Sequence, residues 1–97
     1  MNRYDDIVER VSLLNAQLQS LHSPLGRDLE LRMLLQNQLW SIVKTLNRSH
    51  ALGLDNHCLD LYVEQSKLVL HFYRGVAASD TTECWISIDR TGRVERY

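Results

Sequence analysis

The sequence predicts a single α+β domain: an N-terminal antiparallel helical hairpin packed on one face of a C-terminal four-stranded antiparallel sheet made of two β-hairpins. Three observations carry this. Hydrophobic residues recur every three or four positions before Gly53 and every second position after it. A proline and glycine connection, Pro24 and Gly26, interrupts the helical half. The 97-residue length and 44% hydrophobic content suit one core and not two. The domain is read as 1–97, with the helical hairpin at about 3–52 and the strands at about 57–97.

The first helix is set by Tyr4, Ile7, Val11, Leu14, Leu18 and Leu21, which share one face. Asp5, Asp6 and Glu9 stand where the macrodipole favours negative charge, and Asn2 is the expected N-cap. Ser23 and Pro24 read as a cap followed by proline at the first helical position, with Arg27 as the start if Gly26 interferes. Leu31, Leu35, Leu39, Ile42 and Leu46 form one stripe of the second helix; Leu25, Leu29, Met33, Trp40 and Val43 form another. Two stripes imply a central helix touching both the first helix and the sheet. Arg32 and Gln36 lie on the seam between them, either snorkelling to its edge or serving as a polar anchor in a groove. Gly53 is expected in the left-handed position that ends this helix, with Leu54 packing back.

In the first β-hairpin, Leu59, Leu61 and Val63 oppose Phe72, Leu70 and Leu68 around a turn at Gln65-Ser66. On the other face Glu64 opposes Lys67, Tyr62 opposes Val69, and Asp60 opposes His71. In the second, Asp89-Arg90-Thr91-Gly92 has the composition of a turn with a glycine bulge, which sets Ile88 against Val94, Ser87 against Glu95 and Trp85 against Tyr97. Residues 75–81 read as a mobile loop.

The sheet then has an apolar face for the helices and a second face that nothing in the sequence covers. That second face holds Tyr62, Val69, Tyr73, Trp85 and Tyr97. Together with Arg32 and Gln36, they form the expected partner-binding set.

Charge and motifs narrow the function. Eleven basic and twelve acidic residues, evenly spread, give no field for nucleic acid or anionic lipid. The N-terminus has no apolar signal core and no stretch is long enough to span a bilayer, so the expected location is cytoplasmic. No zinc spacing, phosphate loop or nucleophile-elbow motif occurs, so no metal, cofactor or catalytic residue is assigned. A Cys58, Asp60 and His71 set on one sheet face is the sole enzyme-like alternative, and it lacks a visible pocket or oxyanion donors. The expected function is a small non-enzymatic regulator that binds a larger protein: an inhibitor, an immunity-type or phage- or plasmid-encoded antagonist, or an adaptor. A homodimeric structural domain is the alternative, followed by a nucleic-acid-binding regulator.

Overall fold

A computed structural model describes residues 3–54, 58–74 and 82–97, with the backbone alone for Cys58, Leu59 and Arg74. It contains α1 (Arg3–Gln19), α2 (Arg27–His50), β1 (Cys58–Glu64), β2 (Lys67–Arg74), β3 (Thr82–Ile88) and β4 (Val94–Arg96). The strands form one antiparallel sheet in the order β1-β2-β3-β4, with both helices on one face. This is the predicted α+β architecture. The expected N-cap Asn2, His57 and the 75–81 loop lie outside the described residues.

The core is aliphatic. Leu61, Leu68, Leu70, Ile86 and Ile88 of the sheet and Val11 of α1 are fully buried, and Leu14, Leu35, Leu39, Val43, Leu46 and Leu52 close around them. Each such side chain contributes about 1.5–3 kcal/mol by leaving water. Every residue of the predicted α1 face is buried or packs on this core. The Tyr4 hydroxyl clamps the N-terminus of α1 to the sheet. It accepts from the Leu68 N–H (3.2 Å) and lies within donating distance of the Ile88 (2.8 Å) and Ser66 (2.9 Å) carbonyls. Asn15 donates to the Leu61 carbonyl at 2.8 Å, which satisfies one outward-facing group of the β1 edge.

The start of α2 is the second of the two expected positions, the one that applies when Gly26 interferes. Gly26 takes φ 68 and ψ −138, a backbone state that favours glycine, so Pro24 stays in the connection and the helix begins at Arg27. No side chain caps it; the Asp28 carboxylate instead accepts from the Ser23 N–H at 3.1 Å. Its end differs from expectation in the cap residue. The left-handed cap is Ala51 (φ 50, ψ 50), whose N–H returns to the Asn47 carbonyl. Gly53, at φ 68, turns the chain again beyond it. Leu54 packs back on the core as expected, Leu52 beside it is buried at 2% exposure, and the Asn47 side chain holds both backbone groups of Leu54 at 3.0 Å.

Both β-hairpins keep the predicted register except at one point. A bulge between Cys58 and Asp60 sets Cys58, and not Leu59, opposite Phe72. The first turn has two residues, Gln65 and Ser66, both at positive φ, which matches the strand twist. In the second, Gly92 at φ 85 donates to the Asp89 carbonyl at 3.0 Å. Trp85 and Tyr97 exchange backbone hydrogen bonds at 2.7 and 2.9 Å. Arg96, on the helix-facing side of β4, donates to the Leu52 carbonyl at 2.9 Å and ties the end of α2 to the sheet.

Candidate interaction surfaces

The sheet face away from the helices gathers its aromatic residues through register. Trp85 lies between His71 on β2 and Tyr97 next to β4. The His71 and Trp85 rings stack with centroids 4.7 Å apart and planes 8° from parallel. His71 Nε2 lies 3.6 Å from a Glu83 carboxylate oxygen, and the Tyr73 hydroxyl donates to the other at 3.2 Å. That hydrogen bond and the Glu83 charge raise the Tyr73 pKa. Burial, then the nearby Glu64 carboxylate, raise that of Tyr62.

This face covers much of itself. Tyr62, Trp85 and His71 are half-buried, whereas Tyr73 and Tyr97 remain exposed. Val69, expected as a contact, is only 2% exposed, and Ser87 beside it is 3% exposed. Both sit in the central strands β2 and β3, where Val69 pairs with Tyr62 on one side and Ser87 on the other. Val69 therefore contributes no free surface.

The seam residues separate. Arg32 is half-buried, and its guanidinium donates to the Leu21 carbonyl at 3.5 Å, at the connection between the helices. Gln36 is exposed on the wall of an open groove of about 360 Å³ between α2 and β1. Leu18, Met33, Trp40 and Leu61 give that groove its apolar lining, and Asp60 stands at it. Arg32 is not among the residues that line this groove.

The largest departure lies in the first two turns of α2. The expected central helix would bury Leu25, Leu29, Leu31 and Met33; they are 72%, 40%, 40% and 57% exposed. Leu34 is 55% exposed and Leu13 of α1 is 60% exposed. The first buried residue of α2 is Leu35. A 24-residue helix is about 36 Å long, whereas the seven residues of β1 reach only about 23 Å. Residues 27–34 therefore form an arm that the core covers only in part, with Met33 at the groove against β1 and Arg32 half-buried. The radius of gyration, 14.2 Å, exceeds the about 12.5 Å of an average compact domain of this length. The stripes on α2 carried half of this signal. Leu34 lies off both, and an apolar residue there, beside Leu31 and Met33, is the sign in the sequence that the arm is apolar beyond the two stripes.

Of the enzyme-like set, Asp60 stands opposite His71 as expected. The bulge moves Cys58 into register with Phe72, one step away from the Asp60–His71 pair, and the Cys58 side chain is outside the described residues. Among the described residues no three His, Cys, Asp or Glu side chains gather as metal ligands, and no helix is long and apolar enough to cross a membrane. Comparison of the chain with protein-family models, curated proteins and solved structures finds no match.

Proposed function

We propose that this chain is a non-enzymatic protein-binding module that regulates by occupying the surface of another protein. One observation carries the reading: five large aliphatic or thioether side chains on or beside the α2 arm, with Leu13 on α1, stand in water while the core is complete without them. Exposed apolar surface on this scale marks an interaction site. The sheet face is the second candidate, because Tyr73 and Tyr97 are exposed beside the half-buried Trp85.

Affinity capture with two variants separates these surfaces. Leu31→Glu with Leu34→Glu places charge on the arm without touching the core. Trp85→Ala removes the centre of the aromatic face. Loss of a bound protein with the arm variant, and its retention with Trp85→Ala, supports the arm as the working surface. If both variants hold the same proteins as the parent chain in the same amounts, the protein-binding reading through either surface is wrong.

A further inference from the structure

We infer that the protein covering the α2 arm is a second copy of this chain, joined by an isologous contact between helical hairpins; this rests on the protein-binding reading above and names its partner. The first argument is shape. At 100° per residue, Leu29, Met33, Leu34, Leu31 and Leu35 spread over an arc roughly 240° wide that also carries Glu30 and Arg27, wider than one neighbouring helix covers. Within the monomer α1 covers only one part of it. Arg10 on α1 donates to Gln38 at 3.3 Å, which sets the antiparallel alignment and brings Leu13 near the level of Leu34. A second hairpin supplies the missing neighbours and completes a four-helix cluster.

The second argument is charge. Across the apolar segment 25–34, Arg27 and Arg32 balance Asp28 and Glu30, and the whole chain carries a formal charge of −1. A patch without net charge meets its own copy without repulsion, and a protein near neutrality has little to hold copies apart. The third is composition and area. The six exposed side chains are five Leu and one Met, with no aromatic residue among them. Subunit interfaces between identical chains are the more apolar class, at roughly 65% non-polar area. The six expose on the order of 600 Å². A stable dimer uses roughly 800 Å² per partner, so the six supply most of the surface one would need. In this arrangement the aromatic sheet face of each copy points away from the contact and stays free.

Sedimentation equilibrium of the full chain tests the inference. The parent chain should be a dimer at roughly 100 µM, and Leu31→Glu with Leu34→Glu should weaken the association by at least about a hundredfold. Circular dichroism should be unchanged, since neither residue is in the core. The methyl resonance of Met33 gives a second readout that needs no variant: it should shift as the parent chain is diluted. A parent chain that stays monomeric across that range overturns the inference. A dimer that survives both substitutions with an invariant Met33 methyl overturns it as well. A monomer that still captures a different protein, and loses it with the arm variant, would sink the second copy and leave the protein-binding reading standing.

Discussion

The two halves of α2 are equally apolar and meet opposite fates. From Leu35 to Leu46 the leucines and valine lie against α1 and the sheet, at 3–8% exposure. From Leu29 to Leu34 residues of the same kind are 40–57% exposed. Side-chain chemistry does not distinguish them; reach does. The sheet underlies only one part of a helix longer than its own strands, so half of an apolar surface becomes core and half becomes a candidate interface. Hydrophobic patterning specifies which side of an element wants cover. It does not specify how far the cover extends.

The largest expected effect is the contrast itself. Leu39→Ala should cost about 2–5 kcal/mol by opening a cavity beneath β1. Met33→Ala, measured at concentrations where the chain is monomeric, should stay within about 0.5 kcal/mol. Urea midpoints of the two variants give the answer directly. Equal losses would mean that the arm is packed within the monomer and that the comparison fails.

Tyr4 sharpens the covered side. Its hydroxyl serves the Leu68 N–H and the Ile88 and Ser66 carbonyls at once, so Tyr4→Phe leaves backbone groups without that partner. The expected loss is about 1–3 kcal/mol, with far-UV circular dichroism retained. Burial raises the Tyr4 pKa, with the Leu68 N–H opposing it. A raised pKa means the folded state holds this proton more tightly. The associated stability is complete below the ordinary pKa near 10 and is lost as pH rises through the higher folded value. Tyr4→Phe should therefore flatten the alkaline side of the stability profile; an alkaline slope equal to that of the parent chain would remove Tyr4 as its cause.

Much of this division was legible in the sequence, and the exceptions are physical. The register of both β-hairpins follows from polarity because a one-residue slip would place Leu61, Leu70 and Ile86 in water. The bulge at Cys58 lies at the start of an edge strand, where an extra residue costs few pairs and leaves no trace in alternation. Val69 was assigned to the correct face, but alternation carries no depth: it is buried by its neighbours on a sheet, not by another layer. The Ala51 cap was hidden by the more permissive Gly53 two residues later. The arm was hidden because a helical wheel projects the whole helix onto one circle and discards position along its axis.

Arg32 marks the boundary between the two halves, and a smaller effect is expected there. Its one long hydrogen bond, 3.5 Å to the Leu21 carbonyl, joins a half-buried guanidinium to the connection. Arg32→Ala should cost less than about 1 kcal/mol, chiefly through lost packing of its stem. A loss of roughly 3 kcal/mol or more would mean a buried, paired guanidinium, and the core would then begin a full turn earlier than Leu35.

The smallest effect belongs to the turn that closes the covered side. Asp89 Oδ1 accepts from the Thr91 hydroxyl (2.6 Å), the Thr91 N–H (2.9 Å) and the Arg93 N–H (3.0 Å). The Thr91 hydroxyl and the Arg93 N–H, with help from the Lys67 charge, hold its carboxyl below the ordinary carboxylate pKa against a smaller cost of desolvation. A lowered pKa means the unfolded chain takes up this proton first. The contribution is therefore complete at pH values above the ordinary value of 3.8, and it fades as pH falls through the lower folded value. The neighbouring Arg90 pairs with Asp5 of α1 at 2.9 Å, so loosening the turn is felt at the same end of α1 that Tyr4 clamps. Asp89→Asn keeps an accepting oxygen but has no proton to take up at acid pH. Its stability should sit slightly below that of the parent chain at pH 7 and converge on it as the solution is taken below pH 3, a difference readable from thermal midpoints across that range. The arm should not share this behaviour, because nothing in the turn touches residues 27–34. If acid released the arm-dependent association in the parent chain and failed to do so in Asp89→Asn, the two regions would be coupled through α1, and the separation of covered and uncovered halves would have to be given up.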